Sequence, residues 1–308
     1  MKRAFIAVRF AAAALVTLAA LQAGAQTAPA PAQLSGTLAK VHDTGTITIG
    51  HRESSIPFSY RSARGEPIGY SIDLCKLLVD AISEEVGREI AIKWQPVTSE
   101  TRIPAVVSGQ IDLECGSTTN NLERQKQVAF SPIIFVAGTK LLVKRGSPIR
   151  SYRDLAGKTV VVTAGTTNEK AMQEIARRFK IDFRQVTARD HAQSYAELAA
   201  GKADAFATDD VLLYGLVAER RAQKEYQVVG EFLSYDPYGI MFRKGDAQLA
   251  ELVTRAFHDL AEDGEIERQY KRWFLQRLPG PSNASQSLDL PMSPQLETLI
   301  RAMAAKPE

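Results

Sequence analysis

Residues 114–124 read ECGSTTNNLER and follow Ile111–Leu113, a short segment with the pattern of a buried strand. Asn120, with Glu123 three residues later, fits a capping arrangement at the start of a helix. The hydroxyl groups of residues 117–119 and the free backbone N–H groups would then converge at one helix end, which favours an anion. The stretch therefore predicts an anion-binding turn at the end of a strand.

Arg124 gives this predicted turn its chemical character. It falls in the first helical turn and offers a planar guanidinium group whose geometry matches a carboxylate. These residues together predict a pocket for a small carboxylate. A capped helix that carries an arginine on its surface would produce the same pattern, and the stretch leaves both interpretations open.

The first 25 residues differ in composition from the rest of the 308-residue chain. Lys2 and Arg3 precede an apolar run at residues 10–21, and small residues follow up to Ala25. This is the pattern of a cleaved signal peptide, and the run is short for a membrane span. We expect residues 1–25 to be a signal peptide that is cleaved near Ala25; a retained N-terminal anchor is the alternative.

The charge balance depends on this leader. The full sequence contains 38 Lys and Arg residues against 35 Asp and Glu residues, a formal net charge of +3. Removing Lys2, Arg3 and Arg9 leaves 38 minus 3, or 35, basic residues in the mature chain. A net charge near zero gives no support for binding to nucleic acid or to a membrane surface.

Cys75 and Cys115 are the only cysteines in the sequence. An exported protein enters an oxidising compartment, where an even pair can form one disulfide. Two buried free thiols are the alternative. The pair is not a Cys-x-x-Cys motif, and the four histidines show no metal-ligand spacing. The sequence therefore predicts neither a metal nor a cofactor.

Strand patterns alternate with helix patterns along the chain, which is typical of an α/β fold with a largely parallel sheet. Apolar extended segments at residues 138–143 and 238–242 could cross between two such units. Between them, a strand pattern at residues 159–163 precedes a turn in which Thr166 and Glu169 fit a capping box. The second unit thus has the same kind of strand, turn and helix start as the first.

Four segments resemble the glutamate/aspartate-binding members of the family 3 solute-binding proteins of amino-acid ABC importers. These segments are His51–Tyr60, Thr98–Pro104, Glu114–Ser131 and Gly165–Glu169. The resemblance extends from about Leu38 to Phe274, and the run ECGSTTNNLERQKQVAFS is specific to the acidic amino-acid subgroup. It implies a periplasmic monomer that works with an inner-membrane ABC permease.

The resemblance also implies the organisation of the chain. The expected fold is the α/β, two-lobed type II periplasmic binding protein fold, in which two crossover strands form a hinge and the ligand lies between the lobes. The implied segments are the signal peptide at 1–25, a flexible leader at 26–37, a first lobe at 38–137 and 236–278, a second lobe at 138–235 and a C-terminal tail at 279–308. Because the start of the tail is rich in Pro, Ser and Asn, we expect it to lie on the surface as an arm.

Nine residues match positions at which the family binds its ligand. Arg124, Ser117 and Thr119 would hold the α-carboxylate. Asp209 would take the α-ammonium, and Thr167 would add hydrogen bonds. The residues that would face the side-chain carboxylate are Arg52, Ser99, Arg102 and His191.

The chemistry of an acidic amino acid agrees with this set. Such a ligand carries two anions and one cation, and a closing cleft removes their water, so each charge needs a partner. Alternatives remain for several residues: Arg52 and Arg102 as solvated loop charges, Asp209 as a helix cap with Asp210 as its rival, and His191 as a solvated loop residue.

Two other function classes compete with a binding protein. An enzyme on the same fold, such as a dehydratase or lyase acting on a small carboxylate, would need a general acid or base, for which Glu53, Asp210 or His191 could serve. The sequence shows no nucleophile–base motif. The second alternative is a periplasmic sensor subunit. We predict a binding protein without catalytic activity.

Overall fold

The computed structural model describes residues 33–279 and 286–305. The predicted signal peptide and most of the predicted leader lie outside this range. The described residues from Ser35 onward belong to one compact unit. None of the described helices combines the length and apolar character that crossing a bilayer requires.

The first part of the chain contains three α-helices and eight strands among the described residues. They are α1 (Gly36–Thr44), β1 (Thr46–His51), β2 (Ser54–Ser55), β3 (Ser59–Arg61), β4 (Pro67–Ile68), α2 (Tyr70–Val86), β5 (Ala91–Pro96), α3 (Arg102–Ser108), β6 (Leu113–Cys115), β7 (Val128–Phe130) and β8 (Phe135–Ala137).

The middle part adds a second set of alternating strands and helices. They are β9 (Thr139–Lys144), β10 (Thr159–Thr163), α4 (Thr167–Phe179), β11 (Arg184–Ala188), α5 (His191–Ala199), β12 (Ala205–Asp209), α6 (Asp210–Glu219) and β13 (Tyr226–Val229).

The last part returns to the first set. Its elements are β14 (Asp236–Tyr238), β15 (Met241–Arg243), α7 (Ala247–Glu262), α8 (Glu265–Tyr270), a π-helical turn at Lys271–Leu275 and α9 (Pro294–Ala304).

Two five-stranded sheets define two lobes. The first sheet has the order β5-β1-β6-β15-β7, with β1 parallel to both neighbours and β15 antiparallel to its own. The second has the order β11-β10-β12-β9-β13, with β10 parallel to both neighbours and β9 antiparallel to its own. In each sheet the antiparallel strand next to the parallel ones follows a crossover strand. This confirms the predicted two-lobed α/β fold; the exact lobe boundaries stay a prediction.

The two crossover strands, β8 and β14, pair antiparallel with each other, Phe135 opposite Tyr238. Both side chains are buried in an aromatic cluster of the first lobe. Ring centroids lie 4.9 Å apart for Phe58 and Phe135, 5.1 Å for Phe58 and Tyr238, and 5.0 Å for Phe135 and Phe274. Aromatic pairs at such distances add to the stability gained from burial alone. The crossover is therefore anchored on one side by the core of the first lobe.

The tail contains a helix that was not predicted from the sequence. Helix α9 packs on α7 and buries Leu296 and Ile300, while the Leu290 N–H donates to the Phe274 carbonyl at 3.1 Å. The amide of Gln295 also donates to the Tyr235 hydroxyl at 3.2 Å, just before β14. The described part of the tail thus covers the first lobe and reaches the crossover.

Cys75 on α2 and Cys115 at the end of β6 form a disulfide, and neither residue is exposed. We expect neither cysteine of the exported protein to react with an alkylating reagent before reduction. Because the bond closes a loop of 40 residues, reduction should lower the free energy of unfolding by about 4 kcal/mol. Mass spectrometry and denaturant unfolding test both statements. Two labelled thiols in the unreduced protein would contradict the first.

Candidate functional site

The candidate site lies where the parallel strands of both sheets end. In open α/β sheets, ligands bind outside the carboxyl ends of the strands, because the following loops converge there. The residues at these ends are Arg52 after β1, Ser99 after β5, residues 117–119 after β6, residues 166–167 after β10, His191 after β11 and Asp209 at the end of β12.

A small cavity between the lobes collects most of the predicted ligand residues. Its lining contains seven of the nine: Ser99, Arg102, Ser117, Thr119, Thr167, His191 and Asp209. Thr166, Asn168 and Leu212 complete it. Arg124 and Arg52 line two neighbouring cavities and contact residues of the central one.

Arg124 reaches across the cleft. Its Nη1 donates to the Thr119 carbonyl of the first lobe at 2.9 Å, and its Nη2 donates to the Gly165 carbonyl of the second lobe at 3.4 Å. Gly165 has φ +72°, and a Cβ there would lie 2.7 Å from Cα of Glu100. The position therefore favours glycine for two reasons. Another residue would strain the backbone at this φ, and its side chain would push the lobes apart.

Arg52 and Arg102 are buried with incomplete hydrogen bonding. Nη2 of Arg52 donates to Ser99 Oγ at 2.6 Å, and Nη1 of Arg102 approaches the Ser117 carbonyl at 3.5 Å. Nη1 of Arg52, Nε of Arg102 and Ser117 Oγ have no partner among the described residues. Unpartnered buried donors are costly, and these three need an acceptor.

Burial disfavours the charge of all three guanidinium groups. It lowers the pKa of Arg52 to about 9, and the charge of Arg102 adds to this effect. Burial and the same neighbour lower the pKa of Arg124 to about 9. Burial also lowers the pKa of Arg102. An anion placed among these groups would oppose this lowering of their pKa values, since an opposite charge favours the ionised form.

Asp209 is the acid that the structure brings into the cavity. Its Oδ1 accepts from Asn168 Nδ2 at 2.7 Å and its Oδ2 accepts from the Tyr238 hydroxyl. Burial, and then the charge of Asp236, raise the pKa of Asp209 well above its usual range. The rival Asp210 is outside the cavity lining, and its Oδ1 faces the backbone N–H of Gly138 at 3.5 Å. A cation beside Asp209 would offset the effect of burial on this pKa.

Asp236 on β14 links the two lobes. Its Oδ1 accepts from Thr119 Oγ1 of the first lobe at 3.0 Å and from Thr167 Oγ1 of the second lobe at 2.7 Å. On the exposed rim, Lys170 Nζ of α4 donates to Glu123 Oε1 at 2.8 Å. The described structure is thus closed across the cleft.

His191 begins α5 and is 2% exposed. Its Nδ1 lies 2.9 Å from Thr163 Oγ1, which itself lies 2.8 Å from Ser194 Oγ. Burial, and then the charges of Arg52 and Arg102, lower the pKa of His191 well below 6.5. The imidazole is therefore neutral at pH 7, and the alternative of a solvated loop histidine is wrong.

The predicted helix after residue 120 is also wrong. Arg124–Lys126 form a single 3-10 turn, and the Arg124 N–H donates to the side chain of Asn121, not of Asn120, at 2.9 Å. Strand β7 begins at Val128 and pairs with β15, which leaves no room for a longer helix. An anion bound by this stretch would therefore meet side chains and loop N–H groups, without a helix N-terminus.

The turn before α4 is closer to the predicted capping box. Thr166 Oγ1 accepts from the Glu169 N–H at 3.1 Å, which is half of the capping box. The Glu169 carboxylate accepts from the Gly165 N–H at 3.0 Å, where a capping box would use the Thr166 N–H. The 13-residue helix α4 thus begins at the cavity.

Sequence reasoning missed four residues around the site. Asn168 and Tyr238 hold Asp209, Asp236 joins the lobes, and Glu114 is a fully buried acid beside the arginines. Glu114 lies inside the quoted run, where an acid directly after an apolar strand was a usable signal. The others depend on contacts between residues far apart in sequence.

One group of potential metal ligands lies on α7, far along the chain from the strand ends. His258, Asp259 and Glu262 place one ligand atom each within 4.8 Å of one another. Both acids are exposed, and His258 Nδ1 lies 2.8 Å from the Met303 carbonyl oxygen. Exposed acids with a histidine engaged elsewhere give no built metal site.

The geometry defines a class of protein: two α/β lobes that enclose a polar cavity at their strand ends. Comparison with known families assigns the chain to one family within this class. Residues 47–276 match the model of the bacterial extracellular solute-binding proteins, family 3, and the chain belongs to this family.

Two binding proteins align with most of the chain. It is 45% identical over 276 residues to the L-glutamate/L-aspartate-binding protein of Pseudomonas aeruginosa strain PAO1, covering 89% of this chain and 90% of that protein. It is 39% identical to the glutamate/aspartate import solute-binding protein of Escherichia coli K12, covering 92% and 93%.

Solved structures show the same fold with other ligands. An ancestral arginine-binding protein bound to arginine superposes with a TM-score of 0.68 at 31% identity, covering 75% of this chain and 98% of that one. Since this fold accepts a cationic ligand there, the ligand of the present protein has to be argued from its own site.

The neutral state of His191 predicts a pH effect on stability. Because its pKa is lowered on folding, the unfolded chain binds the extra proton, so stability falls as pH drops below 6.5. In ligand-free protein, the free energy of unfolding of the wild type should fall relative to His191→Gln by up to about 1.4 kcal/mol per pH unit. Denaturant titrations between pH 7.5 and about 5 measure this. Parallel curves for the two proteins would contradict a buried neutral His191.

Proposed function

We propose that the protein binds L-glutamate and L-aspartate between its two lobes and delivers them to an ABC importer. The observation that carries the proposal is the cluster of three buried guanidinium groups, two of them with unpartnered donors, beside a buried Asp209. Two anions and one cation, held in one small molecule, complement this arrangement. The names of the relatives support the same ligand class.

The nine residues take the following proposed roles. The α-carboxylate is bound by Arg124, Ser117 and Thr119, the α-ammonium by Asp209, and Thr167 adds a hydrogen bond at the start of α4. The side-chain carboxylate is bound by Arg52, Ser99, Arg102 and His191. Their placement around one cavity and its two neighbours supports this division.

A neutral His191 suits its role. A Thr163 hydroxyl that donates to Nδ1 leaves the proton on Nε2, and an N–H is the donor that a carboxylate needs. The ligand carboxylate then meets two guanidinium groups and one neutral donor. His191 therefore adds a hydrogen-bond donor without adding a third positive charge.

The proposed function also requires that the two lobes move and that the protein is exported. The paired crossover strands β8 and β14 would act as the hinge, with Asp236 joining Thr119 and Thr167 when the lobes close. We propose that the protein is a periplasmic monomer exported by the signal peptide at residues 1–25, and that an inner-membrane permease accepts its closed form.

An enzyme on the same fold is the competing function. One similar structure, at 30% identity and a TM-score of 0.67, is an ancestral amino acid-binding protein described as a precursor of cyclohexadienyl dehydratase. Against catalysis here, two relatives that align with about nine-tenths of this chain are named as binding proteins. Recovery of unchanged amino acid after long incubation supports binding alone; a new product would favour the enzyme.

The side-chain subsite predicts strong charge selectivity. Glutamine has nearly the shape of glutamate, but its NH₂ group presents donors where Arg52 and Arg102 need acceptors. A site built on buried polar partners rejects such an analogue by about 10³-fold or more. Calorimetric titration of ligand-stripped protein should rank glutamate and aspartate far ahead of glutamine and asparagine, with lysine and arginine not bound. Glutamine within tenfold of glutamate would refute the proposed ligand class.

Arg124→Ala tests the α-carboxylate role. Truncation leaves a buried anion short of donors and should cost about 2–5 kcal/mol. This is a loss of about thirtyfold to several thousandfold in affinity for glutamate. Arg153→Ala is the matched control, because Arg153 pairs with Glu231 on the surface at 2.6 Å, and it should bind normally. Equal affinities of the two variants would remove Arg124 from the site.

A further inference from the structure

Glu114 is a buried acid for which the proposed ligand contacts give no role. It lies on β6, opposite Gly50 of β1 and Met241 of β15, and is 0% exposed. Oε2 accepts from Thr118 Oγ1 at 2.5 Å, and Oε1 has no partner among the described residues. A buried carboxylate without a direct cation contact is costly, so its retention needs a reason.

Glu114 lies close to Arg52 of the arginine cluster. A Cβ placed on Gly116 would be 2.3 Å from Glu114 Oε1 and 2.9 Å from Arg52 Cγ, so one glycine separates the two side chains. The charge of Glu114 raises the pKa values of Arg52, Arg102 and Arg124 and so opposes the effect of their burial. It acts on the cluster as an internal counter-anion.

The charges of the side-chain subsite follow from this position. Arg52 and Arg102 contribute two positive charges and Glu114 removes one, which leaves one charge for a ligand to neutralise. The other buried acids of the cleft have different partners: Asp209 is held by Asn168 and Tyr238, and Asp236 by Thr119 and Thr167.

We propose that Glu114 is a specificity-determining residue, which limits the side-chain subsite to a group that carries one negative charge. This inference rests on the proposed function, because it assumes that Arg52 and Arg102 face the side chain of an acidic amino acid. The subsite would then reject neutral amides for lack of charge, and doubly charged groups for excess of it.

Glu114→Gln isolates the charge. The amide oxygen can still accept from Thr118, while the repulsion between residue 114 and the ligand carboxylate disappears. We expect the ratio of glutamate to glutamine affinity to rise about tenfold or more, equal to about 1.4 kcal/mol. L-2-amino-4-phosphonobutanoate, a glutamate analogue with a doubly ionisable phosphonate, should gain more affinity than glutamate. Glu114→Asp keeps the charge and should restore the wild-type ratio.

Glu53→Gln is the matched control. Glu53 is one residue from Arg52, but its side chain is 50% exposed and pairs with Arg61. The same substitution there should leave the ratio unchanged. If Glu114→Gln shifts both affinities by the same factor, Glu114 has a structural role and the proposal fails.

The wild type alone provides a test that does not depend on the variant folding. Phosphonate affinity should fall when pH passes above the second pKa of the phosphonate, relative to glutamate measured in parallel, which corrects for titration of His191 and Asp209. An unchanged ratio would overturn the proposal. Failure of the wild type to bind glutamate at all would instead overturn the proposed function.

Discussion

Three guanidinium groups are buried in one cleft with fewer acceptors than donors, and the rest of the site follows from that constraint. A buried charge is stable only when it is paired and hydrogen-bonded. Backbone carbonyls accept some of the hydrogen bonds of Arg124, and Ser99 accepts one from Arg52. The charge of Glu114 favours the ionised form of Arg52 without a direct contact. The unpartnered donors that remain are the groups that we propose a dicarboxylate ligand satisfies.

The fold explains how such a cluster can be assembled and opened. Each lobe presents loops at the carboxyl ends of its parallel strands, and the paired strands β8 and β14 lead from one lobe to the other. Phe135 and Tyr238 anchor these strands in the first lobe, while the Tyr238 hydroxyl reaches Asp209 of the second. The lobe contacts and the crossover therefore share residues with the proposed ligand site, so binding there would be coupled to closure by the same few hydrogen bonds.

Much of this could be predicted from sequence, and the failures have physical causes. Strand alternation and the family resemblance were sufficient for the two-lobed fold, because periodicity and turn residues are local signals. The helix expected at Asn120 was wrong because the pairing of β7 in the sheet overrides local capping preference. Tyr238 and Asp236 could not be assigned because their partners are distant in the sequence. Helix α9 was missed because the Pro- and Ser-rich start of the tail hid the apolar spacing of Leu296 and Ile300.

The most direct test of this account is a crystal structure of the protein with L-glutamate. The account predicts the ligand between the lobes, with its side-chain carboxylate within hydrogen-bond distance of Arg52 Nη1 and Arg102 Nε, the donors that have no partner in the described structure. Its ammonium should contact Asp209. A ligand bound outside the cleft, or one whose side-chain carboxylate faces solvent while these donors stay unpaired, would contradict the central claim.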